Sequence, residues 1–358
     1  MIKLEISMGK AHANIHNAAE SVMAYQSALK ILQEALVADE MEDRSIVFPI
    51  FSGLFIALKL GMIKQDADCL FEKNLVARFV RETKTHGDSV HYLRALAMEA
   101  ETFGRLGEFD RAFQTKKEIQ LMYNPEEHSQ AISQIYGSDR TAQAIGLSSV
   151  WYYQTGDITD ALRNCDLVIN HLLPKMDLRN VHNSFVLILP SLWVMKESDL
   201  AHESGFNFSK YVVEPFHLNY PEGAFTYFLP LYRPIMILFD LACYSKNEGE
   251  RPIDFNVYLE WALNNENLRP PEIMNSMGNL GRLPGSISGE ICLLLAEKLE
   301  NGFDRTTLVR NGLAVASEAL THAVEKGMTV AETFARPIFF KLTEMAALCH
   351  NEKISLSC

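Results

Sequence analysis

The chain has 358 residues and a formal net charge of −12 with no long run of one sign, which argues against a nucleic-acid-binding surface, where Lys and Arg gather on one face. With 48% apolar and 22% charged residues, it can bury a sizeable core and is not disordered. The length suits two domains or one elongated array.

The first residues, Met1 to Lys10, hold no apolar run of the kind a secretory signal needs. The most apolar stretches are 185–195, too short to span a bilayer, and 224–243, which carries Arg233, Pro234 and Asp240. No membrane span is predicted. Cys69, Cys165, Cys243, Cys292, Cys349 and Cys358 are far apart without a CxxC pair. That usage fits a reducing, cytoplasmic setting and excludes a Cys-based zinc ribbon.

Taken in chain order, long windows repeat apolar residues at helical spacing, as in Leu93, Leu96, Ala97, Ala100, Phe103 and Leu106. Alternating strand patterns with hairpin turns are missing. Apolar helices are predicted over 48–60, 93–106, 142–155, 183–203, 227–246 and 287–301, each stopped by a glycine at 61, 107, 156, 205, 249 or 302. Second helices follow over 63–84, 109–122, 158–172 and 304–325. Glycine suits each stop because it enters the left-handed conformation at no steric cost. The stops lie 44 to 53 residues apart, which reads as stacked helical hairpins of about 45–50 residues. An irregular α-helical domain is the alternative.

Two of these turns carry a motif. Gly107-Glu108-Phe109-Asp110-Arg111-Ala112 and Gly156-Asp157-Ile158-Thr159-Asp160-Ala161 resemble the G-D-Y-x-x-A turn of tetratricopeptide (TPR) repeats. The resemblance implies that Gly107 and Gly156 make the turn between helices. It also implies that Phe109 and Ile158 pack beneath them, and that Ala112 and Ala161 let the two helices approach. Packing positions of the preceding helices then fall on Leu96, Ala100 and Phe103, and on Ile145, Ser149 and Tyr152. Gly9, His12, Ser21, Tyr25 and Ala28 follow the same register more loosely. TPR units run about 34 residues, so longer helices or connections are expected here. The predicted fold is all-α: a right-handed α-solenoid of six to seven hairpins, TPR-like over 1–205 and more divergent over 206–358, ending in a C-terminal helix.

A second resemblance covers about 40 residues. Tyr136-Gly137-Ser138-Asp139-Arg140, followed by Trp151, Gly156-Asp157 and Ala161-Leu162, is similar to a segment in the TPR tails of signalling proteins. Those proteins join a class III adenylate/guanylate cyclase domain to an AAA/STAND-type ATPase. Ser138 and Arg140 stand where that family carries His and Pro. No GxxxxGK[ST] loop is present to hold phosphates. Met1 begins almost inside a helical repeat, and solenoids usually need a polar cap. The resemblance therefore implies a regulatory tail, encoded separately or truncated at its start.

Other features weigh less. His12 and His16 share a helical face, but two ligands make no metal site. The segment 277–286 holds Gly278, Gly281, Arg282 and Gly285 before a helix expected near 287, where backbone amides could meet a phosphate. It lacks a P-loop Lys and reads better as a Gly-rich connection. Residues 206–239 hold ten aromatics, favoured as core filling. If they line a groove, Tyr220, Tyr227 and Tyr232 are its walls and Arg233 its anion contact. Asp139, Arg140, Asp157 and Asp160 read as helix caps and solvated charge, with Asp139 placed to cap a helix starting near Arg140. The sequon Asn207-Phe208-Ser209 is uninformative without a signal peptide.

The expected function is a non-catalytic scaffold or regulatory array, with no catalytic residue, cofactor or metal assigned. Its partner would be a peptide or helix in the concave groove, or a neighbouring catalytic domain. The alternative is the tail of a nucleotide cyclase/ATPase, and a small-molecule pocket in 206–239 is a third reading. Positions near Arg94, Ala97 and Glu101, or Gln143, Gly146 and Val150, do not build the carboxylate clamp of chaperone-binding TPR proteins. The overall charge favours a neutral or basic partner.

Overall fold

A computed structural model describes residues 47–59, 70–137, 139–176, 255–268, 283–299, 302–325 and 329–356, with single positions 23, 24, 27, 30, 233, 234, 237, 238 and 241. Every described element is helical, and no strand occurs among the described residues. The chain divides into two units: Met1–Trp151 with Lys175–Ser184, and Tyr152–Pro174 with Phe185–Cys358. The division expected at 205 falls among residues outside those described, while the structure divides the chain between Trp151 and Tyr152.

In the first unit, α1 (Val47–Lys59), α2 (Leu70–His86), α3 (Ser89–Arg105), α4 (Phe109–Met122), α5 (Pro125–Tyr136) and most of α6 (Arg140–Gln154) follow one another. Two of the starts have a clear local cause. Asp88 starts α3 by accepting the His91 N–H at 3.0 Å on Oδ1. Asn124 caps α5, with Pro125 in the first turn and Glu126 and Glu127 behind it.

The turn between α3 and α4 has Gly107 at φ 77°, with the Glu108 N–H donating to the Phe103 carbonyl at 2.9 Å. In the second unit, the turn before α7 (Ile158–Asp166) has Gly156 at φ 83°. There the Asp157 N–H donates to the Tyr152 carbonyl at 2.9 Å. Both are six-to-one bonds closing over a left-handed glycine, the Schellman arrangement. Ala112 and Ala161, five residues after each glycine, are fully buried.

The 49-residue spacing from Gly107 to Gly156 comes neither from long helices nor from long connections. The hairpin Ser89 to Met122 covers 34 residues, and the remainder is α5, a separate helix of 12 residues. Gly137, at φ 83°, ends it.

The second unit continues α7 through a π-helical turn, Leu167–Leu172, and a 3-10 turn, Leu173–Lys175, whose last residue belongs to the first unit. It also holds α8 (Phe255–Leu263), the short α9 (Asn265–Leu268), α10 (Leu283–Lys298), α11 (Phe303–Glu325) and α12 (Thr329–Leu356). The last three pack closely because small residues face one another. A Cβ on Gly312 of α11 would lie 2.7 Å from Cys292 Cβ on α10, and one on Gly289 would lie 3.2 Å from Ala316 Cβ and 3.3 Å from Ile338 Cγ2. Of the helix expected over 227–246, the described positions 233, 234, 237, 238 and 241 are helical. The helix over 183–203 lies outside the described residues.

Candidate functional site

α3 is the element around which the first unit is organised. Eleven of its 17 residues are buried, among them Arg94, His91 and Thr102. Burying a polar group costs free energy unless it is hydrogen-bonded, and the neighbouring helices supply the partners. Arg94 donates from Nε and Nη2 to Ser52 Oγ of α1 at 3.0 and 2.7 Å. Its guanidinium lies 5.1 Å from the ring centroid of Tyr136 on α5. Tyr136 OH shares a hydrogen bond of 2.6 Å with His91 Nδ1, and the His91 ring lies 4.7 Å from that of Phe48. From α2, the fully buried Glu72 accepts from Thr102 Oγ1 at 2.8 Å and from Arg105 Nη2. On the α4 side, Tyr92 OH donates to Glu118 Oε1 at 2.7 Å and Thr115 Oγ1 to Glu99 Oε2 at 3.1 Å.

A second polar knot joins α4, α5 and α6. Asp139 is fully buried. It accepts the Thr141 N–H at 2.8 Å on Oδ1 and the Tyr123 hydroxyl at 2.5 Å on Oδ2. Burial pushes the Asp139 carboxyl above the ordinary aspartate range, against the lowering effect of those donors. Arg94 moves the other way. Burial, then the nearby Arg140 guanidinium, push it down to about 9, against the raising influence of Tyr136, Glu101 and Asp139. At neutral pH Arg94 is still a cation, held in the core by an aromatic face, a hydroxyl and neighbouring acids. Arg140 Nη1 donates to Glu101 Oε2 at 3.4 Å.

Among the residues expected to form the repeat motif, Gly107, Gly156, Ala112 and Ala161 occupy equivalent places in their turns. The residue beneath the glycine differs. Phe109 is half-buried, its ring 6.3 Å from that of Phe113, whereas Ile158 is 45% exposed and does not pack there. Leu96, Ala100, Phe103, Ile145 and Ser149 are buried, and Tyr152 is half-buried.

Asp139 caps α6 but is not solvated charge, which corrects that part of the expectation. Asp157 caps α7 through the Asp160 N–H at 3.1 Å, and Asp160 is ion-paired with exposed Arg163. The inner positions Arg94, Ala97, Gln143, Gly146 and Val150 are all buried. On α6 every residue from Thr141 to Trp151 is buried, so this helix presents no open groove to a peptide.

The aromatic groove is not assembled by the described residues. Tyr220, Tyr227 and Tyr232 lie outside them, and Arg233 is an exposed helical residue beside buried Pro234. His12, His16, the sequon 207–209 and the segment 277–282 also lie outside them. Gly285 and Ser286, expected in a loop, sit inside α10, where a Cβ on Gly285 would lie 3.4 Å from Ala319 Cβ. That position serves helix packing. Among the described residues, no cluster of three or more His, Cys, Asp or Glu side chains could hold a metal ion. Nor is any described helix long and apolar enough to cross a membrane.

The arrangement holds five helices in register around α3, one or two polar contacts per neighbour. Sequence reasoning took Arg94 and Glu101 as inner-helix positions that build no carboxylate clamp, and it missed α5 and the buried knot. Asn124-Pro125-Glu126-Glu127 followed by Gly137 is a helix signal that could have found α5. No family model, curated protein or solved structure matches the chain.

Proposed function

We propose that the chain is a TPR-like helical array, a right-handed α-solenoid, acting in the cytoplasm as a non-catalytic scaffold or regulator that binds another protein. The observation that carries this reading is the pair of turns at Gly107 and Gly156. They share a left-handed glycine, a six-to-one bond from the next residue, and a buried alanine five positions on. The hairpin Ser89 to Met122 also has the length of a TPR unit, about 34 residues, once α5 is seen as an added helix. Because the inner positions of α3 and α6 are buried, partner contact in this reading falls to the outward faces of the other helices rather than to a groove on those two.

A second reading, the regulatory tail of a cyclase/ATPase signalling protein, draws on the segment 136–162. Tyr136, Asp139 and Trp151 of that segment are packing and capping residues here, so the shared pattern has a structural meaning whichever reading holds.

The test is rapid cross-linking of the tagged protein in its own cells, followed by quantitative mass spectrometry. The scaffold reading expects one partner in fixed stoichiometry. A chain recovered alone, or a purified chain that turns over a substrate, would contradict it. Recovery joined to cyclase or ATPase domains supports the second reading.

A further inference from the structure

The chain carries a net charge of −12, yet the outward face of α2 is basic. Leu75, Val76, Phe79, Thr83 and Glu72 point into the core, and Glu72 is bonded there to Thr102 and Arg105. The opposite face follows the helical spacing of three and four through Leu70, Asn74, Ala77, Arg81 and Lys84, all exposed, with Phe71 and half-buried Arg78 at its edge. Two cations, Arg81 and Lys84, stand there with one half-buried carboxylate, Glu82, while the Arg78 guanidinium lies 5.7 Å from the ring centroid of buried Phe51. Arg81 and Lys84 make no ion pair among the described residues. Lys84 lies in the last turn, where a cation complements the helix dipole. Arg81 comes before that turn, so the dipole does not account for it. At the other end, Leu70 and Phe71 are 55% and 46% exposed, an apolar pair that water does not favour.

We propose that this face of α2 docks a short acidic, amphipathic segment of a partner protein, with its carboxylates against Arg81 and Lys84 and its apolar side chains on Leu70 and Phe71. The inference rests on the protein-interaction reading above and names the partner's chemistry. It also revises the expectation of a neutral or basic partner, because local charge and net charge have opposite signs here. A nucleic acid or an anionic membrane extends beyond one helix and meets the remaining negative charge of the chain. A segment of a few turns meets only the basic face.

The test uses the full chain in cells with a photo-cross-linking phenylalanine derivative placed at Ala77 on α2 or, separately, at the exposed Leu121 on α4. The expected result is a cross-link from position 77 to one defined peptide with an excess of Asp and Glu. Its yield should fall roughly tenfold in the Arg81→Glu, Lys84→Glu variant, since exposed charge contacts are each worth a fraction of a kcal/mol and reversal adds repulsion. The yield should fall with added salt in the unaltered chain. Both substitutions lie on exposed positions, and circular dichroism checks that the variant keeps its helices.

A captured peptide without acidic excess, or a yield unchanged by charge reversal, overturns the inference. Capture at 121 but not at 77, or at neither position, overturns it, and the scaffold reading is then decided by the cross-linking of the tagged protein. Binding of phosphatidylserine-rich vesicles that the reversal abolishes, without any peptide capture, assigns the face to a membrane and overturns it as well.

Discussion

Gly104 of α3 lies directly under the indole of Trp151. A Cβ on residue 104 would come within 2.0 Å of Cε2 and 2.2 Å of Cζ2, and Trp151 is itself buried. The contact brings the C-terminal turn of α3 against α6, just before the Gly107 turn. A rigid ring fused into the core has no flexible end to give way. Gly104→Ala should therefore destabilise the first unit by about 3 kcal/mol. Urea denaturation monitored by tryptophan fluorescence checks this; an unchanged midpoint would place the indole elsewhere.

The glycine turns call for a different outcome. Nothing lies within 4 Å of a Cβ built on Gly107 or Gly156, so Gly→Ala there meets only the backbone cost of a positive φ, about 1–2 kcal/mol. The two variants should be equally affected, and Asn at either position should recover part of the loss, since Asn tolerates this conformation. Thermal melts of the four variants measure it.

Arg94 and Ser52 are coupled through two hydrogen bonds in the core. Arg94→Ala removes a buried cation from beside Glu101 and Asp139 and should cost about 3–5 kcal/mol. Ser52→Ala should cost about 1–2 kcal/mol alone, and far less when Arg94 is already absent. A double-mutant cycle by chemical denaturation reads this coupling. Additive losses would show that the pair does not interact.

Asp139 sets a pH dependence whose sign follows from its raised pKa. An unfolded aspartate releases its proton near pH 4, about 3.9, while the folded carboxyl releases it higher. Between those values the folded state binds more protons, so its stability is present at low pH and falls as pH rises, by at most about 1.4 kcal/mol per pH unit. Asp139→Asn, which mimics the protonated form in shape, should remove this fall. Parallel slopes for the two proteins from pH 4 upward would contradict the assignment.

Local features of the fold were legible because their causes are local. α4 has the expected bounds, 109–122, since a glycine stop, an acidic first turn and a helical apolar stripe all lie within its own sequence. The 49-residue spacing from Gly107 to Gly156 was misread because a regular glycine spacing says nothing about how many helices fill it. Asn124-Pro125 and Gly137 marked the ends of α5 all along. Arg94, Glu72 and Asp139 were not legible as buried groups. A charged residue enters the core only when helices distant in sequence supply its partners, here Ser52, Arg105 and Tyr123. Gly285 looked like a loop residue for the same reason: Ala319, against which it packs, is on another helix.

In the proposed array, Gly107 and Gly156 close equivalent hairpins, not turns of one indivisible helical domain. Amide hydrogen exchange of Gly107→Ala distinguishes the two. In an array, each hairpin draws its stability from itself and its immediate neighbours. Protection should therefore fall most in α3 and α4, less in α6 and α7, and stay unchanged in α10, α11 and α12. An equal loss of protection along the whole chain would contradict the array.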